Sequence, residues 1–296
     1  MYGKPSTSRT DRWLAATLQL FTTITVLLLI TIVGFLCLES WQLISGSGQN
    51  TGIFALLSGQ DWYPLEGKFG MGPMILASLA VTFGAICLAL PIGLACAICL
   101  QFYASRGIAR WFELALILLA GIPSVIFGLW GLTRLVPIIG SWQPPGASML
   151  AAILVLALMI CPTVALTTTA ALRALPLSLT AGSEALGLRL PTQIIQVYLP
   201  AARSGIISGV LLATARALGE TMAVLMVAGN VVQNPSDLFS PVRVLTANIA
   251  LEMAYAMGDH RGSLFASGLL LTALVWILSL WANRASGQRL LRAPYV

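Results

Sequence analysis

Residues 213–230 have the sequence ATARALGETMAVLMVAGN, an apolar run that contains one arginine and one glutamate. Arg216 and Glu220 are four residues apart, so a continuous helix would place them one turn apart on the same face. If that helix begins near Arg203, Arg216 lies roughly 20 Å along it, close to the middle of a hydrocarbon core about 30 Å thick. Because a charge at that depth costs at least about 2.5–3.5 kcal/mol, we expect both side chains to face a helix bundle or a wet cavity.

The composition predicts an all-α membrane protein. Of 296 residues, 58% are hydrophobic and only 9% are charged, whereas soluble domains carry roughly 25% charged residues. The net charge of +6 is spread in short runs between apolar segments, which argues against nucleic acid as a partner. Six segments are long enough to be transmembrane helices: Leu14–Leu38, Pro73–Gln101, Trp111–Thr133, Ala147–Leu172, Ser204–Asn230 and Ser263–Asn283.

Basic residues in the loops predict the orientation. Eleven Lys and Arg residues fall on the side of the two termini and four on the other side, the latter being Lys68, Arg134, Arg243 and Arg261. By the positive-inside rule both termini are cytoplasmic. We therefore divide the chain into residues 1–72 (cytoplasmic tail, first transmembrane helix and outer loop), a transmembrane core of residues 73–284, and a cytoplasmic tail of residues 285–296.

A long loop, residues 173–203, lies on the predicted cytoplasmic side. Gly187, which can adopt a left-handed C-cap, and Pro200, expected to stop the next helix, frame a short helix–turn–helix. Its apolar face either binds a groove on a partner or packs on its own bundle, and the pattern alone favours neither. On the other side, residues 231–262 contain a short predicted helix. The first outer loop is on the same side of the membrane and contains Trp62, Tyr63 and Lys68. These residues either contact a delivery protein or anchor the chain at the membrane interface.

Several stretches of the sequence also resemble a known protein family. The 173–203 loop is similar to the coupling loop of ABC-importer permeases, whose pattern is E-A-A-x-x-x-G, nine residues, then I-x-L-P. Gly187, Leu199 and Pro200 match it, while the E-A-A positions hold Ala181, Gly182 and Ser183, with Glu184 next in the chain. Together with this loop, the stretches DWYPLEGKFG, GIPSVIFGLWGL, LPAARSGIISGV and ARALGETMAVLMVAGN resemble permeases (PstC type) of phosphate-specific (Pst) ABC importers.

The resemblance implies an ABC type-1 importer permease fold with six transmembrane helices, in the cytoplasmic (inner) membrane of a prokaryote. It implies that Arg216 and Glu220, with Thr221 beside them, serve phosphate passage. It also implies that Ser183, Glu184, Gly187, Leu199 and Pro200 contact an ATPase. The implied partners are a second, homologous permease (PstA-like), an ATPase dimer (PstB-like) that binds ATP and Mg, and an extracytoplasmic phosphate-binding protein (PstS-like). No cofactor is expected on this chain.

Several alternatives stay open at this point. Arg216 and Glu220 can be a buried ion pair that fixes helix register, or Arg216 can bind phosphate oxygens while Glu220 holds Arg216 or repels the anion. The transported ion can be another oxyanion, such as molybdate, tungstate or sulfate. A secondary transporter would need inverted repeats, and none is visible. The sequence has no phosphate-binding loop of its own and no catalytic constellation. With its cysteines inside apolar segments and His260 in a polar loop, we predict no metal site, no enzymatic activity and a solvated His260.

Overall fold

A computed structural model describes residues 9–45 and 52–285. The predicted tails lie almost entirely outside these ranges. The helices are α1 (Arg9–Ser45), α2 (Ile53–Ser58), α3 (Gly72–Ile98), α4 (Arg106–Gly121), α5 (Ser124–Trp130), α6 (Val136–Trp142), α7 (Met149–Arg173), α8 (Leu177–Ala185), α9 (Leu190–Gln193), α10 (Leu199–Gly219), α11 (Met222–Val227), α12 (Leu245–Glu252) and α13 (Gly258–Ala285). Two short antiparallel strands, β1 (Trp62–Tyr63) and β2 (Lys68–Phe69), form a hairpin.

The described residues contain six helical segments that are long and apolar enough to cross a membrane, as predicted. They are Trp13–Trp41, Gly72–Tyr103, Ser124–Trp142, Met149–Arg173, Leu190–Gly219 and Gly258–Leu280. Three π-helical turns, Cys99–Tyr103, Gly131–Leu135 and Ile194–Tyr198, continue or join these helices. The chain is therefore an all-α membrane protein with six candidate transmembrane segments.

The third segment differs from the prediction of one helix over Trp111–Thr133. The helix is interrupted at Ile122 and Pro123, both of which have extended backbone, so that α4 ends at Gly121 and α5 begins at Ser124. Proline disfavours helical geometry in the residue before it, which explains the break. After the break the apolar segment continues through α5 and a π-helical turn to the end of α6 at Trp142.

The core of the bundle is formed by α3, α7 and α10. α7 contributes more of its buried residues than any other helix, including Val155, Met159 and Ile160. Its neighbours approach through glycines: a Cβ on Gly93 of α3 would lie 2.8 Å from the Val164 side chain, and a Cβ on Gly209 of α10 would overlap Thr167. Small residues at such positions let helix backbones pack closely. This packing matters in a membrane because the hydrophobic effect does not drive helices together in lipid.

The bundle has two polar ends. One, here called the hairpin end, carries the hairpin β1–β2, α12 and the start of α13, which are joined by hydrogen bonds among their side chains. The other, the α8 end, carries α8, α9 and the end of α7. Phe35, late in α1, packs against Phe265, early in α13, with ring centroids 5.3 Å apart. Because the two helices are thus antiparallel, the beginning of α1 and the end of α13 lie at the same end of the bundle, the α8 end.

Candidate functional site

The fifth apolar segment is broken next to its two charges. We predicted one helix over Ser204–Asn230, but α10 ends at Gly219, Glu220 is extended (φ −69°, ψ 129°), and α11 starts at Met222. Glycine is a poor helix former and favours such a stop. The Glu220 carboxylate then accepts a hydrogen bond of 3.1 Å from the Ala223 backbone N–H, which satisfies one of the free donors at the start of α11.

The predicted pairing of Arg216 with Glu220 does not form. Within residues 9–45 and 52–285, no acidic oxygen lies within 4 Å of the Arg216 guanidinium, and this side chain makes no hydrogen bond. The reason is geometric: the pairing at four-residue spacing needs a continuous helix, and the chain leaves the helix at Glu220. Arg216 is exposed on the surface of the single chain, while Glu220 and Thr221 are half-buried.

Packing against α7 gives the depth of Arg216. Gly209 touches Thr167, which is 18 residues after Met149 at the hairpin end, so this contact is about 27 Å down α7. Arg216 is seven residues further along the antiparallel α10, about 10 Å back towards the hairpin end. It thus lies about 16 Å from the start of a 25-residue helix about 37 Å long. Arg216 therefore lies near the middle of the helix bundle.

Hydroxyl groups surround the helix break. Thr246 of α12 donates a 2.8 Å hydrogen bond to the Glu220 carbonyl, and the Thr221 hydroxyl donates one of 3.3 Å to the Gly219 carbonyl. Glu220 and Thr246 line a small cleft that also contains Ser78 and Thr82 of α3. The polar cleft lies at the helix break, and the exposed Arg216 lies one turn earlier in α10 without lining the cleft.

A second polar cluster, which the sequence analysis missed, lies at the hairpin end. The Glu252 side chain is 9% exposed and accepts hydrogen bonds from Arg243 Nη1 (2.7 Å) and Trp62 Nε1 (2.9 Å). Its Oε2 also lies 2.8 Å from His260 Nε2. Arg243 in addition donates to the Asn230 carbonyl (2.9 Å) and to Asn248 Oδ1 (3.1 Å). We call these residues the Glu252 cluster.

The expectation of a solvated His260 was therefore wrong. Its imidazole is 15% exposed and packs on the Trp62 and Phe69 rings. Trp62 is buried within the chain. Tyr63 and Lys68 remain exposed. A hydrogen bond to Glu66 raises the pKa of Lys68, and at pH 7 this ammonium is charged.

At the α8 end, the predicted helix–glycine–helix is confirmed. α8 ends before Gly187, whose φ of 65° is left-handed and whose missing Cβ would meet open space. Behind it the buried Ser183 hydroxyl lies 3.0 Å from the Tyr198 hydroxyl, and Tyr198 donates a 3.0 Å hydrogen bond to Gln193 Oε1. Glu184 points outward and is exposed.

The role predicted for Pro200 was wrong. It does not stop a helix but lies in the first turn of α10, directly after Leu199. The π-helical turn Ile194–Tyr198 carries the chain from α9 into α10 without leaving helical geometry. The proline follows directly on this π-helical turn, and local π-helical adjustments of this kind accommodate prolines within transmembrane helices.

The α8 end also has an exposed apolar surface. Leu177 and Leu186 of the α8 region and Ile195 of the π-helical turn are 85%, 77% and 66% exposed. These side chains do not pack on their own bundle. The other members of the predicted apolar face, Ile194, Val197 and Leu199, do pack on their own bundle. The structure therefore bears out the packing interpretation for most of that face, and only the exposed side chains favour a partner groove.

These features define a class of protein: a polytopic helical membrane component with a charged group at mid-depth and a helix–glycine–helix at one end. The chain belongs to the family of inner membrane components of binding-protein-dependent transport systems, whose family model matches residues 89–292. It is a multi-pass inner membrane protein of the ABC type-1 permease family and a transport subunit rather than an enzyme.

Curated relatives are similar over most of the chain. A phosphate transport system permease protein PstC of Mesorhizobium japonicum is 33% identical over 81% of this chain and 78% of its own length. The PstC of Haemophilus influenzae is 34% identical over 89% of this chain and 90% of its own. A probable ABC transporter permease protein, YqgH, of Bacillus subtilis is 36% identical over 79% of this chain and 77% of its own.

Solved structures share the fold. A chain of a bacterial alginate ABC transporter, in complex with an alginate-bound periplasmic protein, superposes with a TM-score of 0.65 at 14% identity, over 94% of this chain and 95% of that chain. A chain of the MetNI methionine ABC transporter gives 0.60 at 20% identity, over 76% and 98%. At these identities the likeness concerns the fold alone, and it confirms the predicted type-1 importer permease architecture.

Proposed function

We propose that this chain is the permease subunit of an ATP-driven importer of inorganic phosphate and forms half of the translocation path. The observation that carries the proposal is Arg216, a guanidinium exposed at mid-depth without an acidic partner in the described chain. An unpaired charge at that depth is costly against lipid, so its exposed face has to meet a wet path or a partner subunit. The relatives named as phosphate permeases make phosphate the first candidate for the ion.

Arg216 has the chemistry that an oxyanion needs. Its planar guanidinium offers parallel N–H donors that match two oxygens of a tetrahedral anion, and it stays protonated at every physiological pH. Glu220 lies beside the path with a carboxylate that caps α11, where its negative charge opposes tight retention of the anion. Thr221 supplies a hydroxyl at the same level. A site of this kind binds strongly enough to admit the ion and weakly enough to release it.

Energy for import is supplied by a separate ATPase dimer that binds ATP and Mg. We assign the docking surface to the α8 end, with Ser183, Glu184, Gly187, Leu199 and Pro200 in or beside it. The side chains of Ser183 and Leu199 pack inside the segment and stabilise its fold. Glu184 and Leu186 are exposed and face the partner. The complete importer also contains a second, homologous permease and an extracytoplasmic phosphate-binding protein. The α8 end and both termini are then cytoplasmic, and residues 73–284 form the permease core.

Phosphate uptake by the assembled complex tests the proposal. The chain is co-expressed with the genes beside it, purified to ask whether an ATPase and a second permease accompany it, and reconstituted in vesicles with the binding protein. We expect ATP-dependent uptake of radiolabelled phosphate that excess sulfate or molybdate does not inhibit. Uptake of sulfate or molybdate in place of phosphate would reject the substrate assignment, and uptake driven by a proton gradient without ATP would reject the transporter class.

A further inference from the structure

The Glu252 cluster is connected to the proposed translocation site through α12. At one end of this helix, Thr246 donates a hydrogen bond to the Glu220 carbonyl at the helix break. At the other end, Glu252 is bonded to Trp62 of the hairpin and lies beside His260 of α13. The backbone N–H of Leu245 is bonded to Ser78 of α3 at 3.0 Å. A single short helix therefore touches both the hairpin surface and the residues beside Arg216.

A second connection runs through Arg243. Its guanidinium joins Glu252 to the backbone carbonyl of Asn230, which follows α11. Asn230 has a left-handed backbone (φ 56°) and its N–H donates to the Val242 carbonyl. Both ends of the broken segment, Glu220 before α11 and Asn230 after it, are thus tied to elements that Glu252 holds.

Burying the Glu252 carboxylate carries a desolvation cost that attraction to a partner often fails to offset. A buried hydrogen-bonded network does favour one defined arrangement of the elements that it joins. In this cluster the Glu252 carboxylate and the Arg243 guanidinium are bonded, whereas Asn230 Oδ1 and Asn248 Nδ2 have no hydrogen-bond partner among the described residues. Here these elements are the hairpin, the loop before α12, α12 itself and the start of α13. The effect of the cluster is therefore on their mutual position.

We propose that Glu252 is a positioning residue of the translocation path. Through Trp62 and Arg243 it fixes α12 against the hairpin, and through α12 it keeps the helix break at Glu220–Thr221 in its half-buried position. The inference rests on the proposed function, because that function makes the break part of a path. It adds a route by which a contact at the hairpin surface reaches the site beside Arg216, with no side chain of the cluster touching the ion.

The rate of thiol modification at position 221 measures directly how well the helix break is shielded. In a variant without the five native cysteines, Thr221→Cys reports on the break and Leu238→Cys reports on an exposed position at the hairpin end, away from the cluster. A membrane-impermeant thiol reagent is applied from outside to cells that express the full complex. We expect the thiol at position 238 to react quickly and the thiol at position 221 to react slowly in the otherwise unchanged protein.

Three perturbations are then compared with a matched control. Trp62→Phe removes one donor to Glu252, Thr246→Val removes the bond to Glu220, and Glu252→Gln removes the charge. The control is Glu66→Gln, the same exchange at an exposed carboxylate of the hairpin that pairs only with Lys68 in the described chain. We expect the reaction rate of the thiol at position 221 to rise at least threefold with each perturbation and to stay unchanged with the control.

A thiol at a buried position of α7, introduced as Val155→Cys, distinguishes positioning from general loosening of the fold. Faster reaction at position 221 without faster reaction at position 155 supports the inference; an equal rise at both positions, or none at 221, overturns it. If Glu252→Gln prevents assembly, Trp62→Phe and Thr246→Val decide the question, because each removes only one neutral donor. Lack of phosphate uptake by the parent complex would reject the proposed function, and the accessibility result would still decide the inference.

Discussion

Replacing Arg216 with lysine separates a structural role from a role in binding an anion. The guanidinium has no acidic partner in the described chain, and Glu220 is bonded to the Ala223 N–H instead. Arg216→Lys therefore leaves no stranded carboxylate, and it preserves the positive charge. We expect the amount of assembled complex to be unchanged, in line with the effect within about 0.5 kcal/mol that is usual for substitutions at exposed positions.

The expected effect on uptake follows from donor geometry. Lysine presents a point charge where arginine presents two parallel N–H groups, so one of two hydrogen bonds to the anion is lost. A hydrogen bond to a charged group contributes about 1.5–3 kcal/mol. Since about 1.4 kcal/mol corresponds to a factor of ten, Vmax/KM for phosphate should fall roughly 10- to 100-fold.

The assay is initial-rate uptake of radiolabelled phosphate, divided by the amount of complex in the membrane. Arg203→Lys is the matched control, because Arg203 is exposed on the same helix but lies near its α8 end. It should import at the unchanged rate. If Arg216→Lys also retains the parent Vmax/KM, the forked donors do not handle the anion, and Arg216 has no place in the proposed path.

Much of the fold could be predicted from the sequence because the length of an apolar run limits what it can form. Six runs of sufficient length correspond to six candidate spanning segments, of which the third, Ser124–Trp142, lies later in the chain than predicted. The sequence predicted at most a kink or a close helix approach at Pro123 and nothing at Glu220, since hydropathy is blind to backbone geometry. Local evidence was present: Ile122 precedes a proline, which disfavours a helical backbone, and Gly219 precedes the glutamate that caps α11.

The site was predicted in part, for a related reason. The position of Arg216 along its helix depends only on helix rise, and its place about halfway along α7 agrees with that estimate. Its pairing with Glu220 depended on an unbroken helix and was wrong. The Glu252 cluster had no local pattern at all, because Trp62 and Glu252 are 190 residues apart in the chain. Its one sequence indication was an acidic residue within the apolar stretch ANIALEMAY.

The remaining predictions concern three single positions. Gly187→Val should reduce transport-coupled ATP hydrolysis, whereas Gly187→Asn should retain it. The reason is that the left-handed backbone (φ 65°) accepts Gly or Asn but strains a β-branched residue. Equal hydrolysis rates in the two variants would show that this turn has no part in coupling. Gly209→Ala should lower the thermal stability of the purified complex, since the new Cβ overlaps Thr167 and overpacking costs about 1–3 kcal/mol. The control Gly182→Ala places its Cβ in open space and should leave the thermal stability unchanged. Glu220→Gln keeps an oxygen that can cap α11 but removes the negative charge beside Arg216, so assembly should be retained. With less repulsion the anion binds more tightly and leaves more slowly, and both KM and Vmax for phosphate uptake should fall. If both stay at their parent values, Glu220 serves only as the cap of α11.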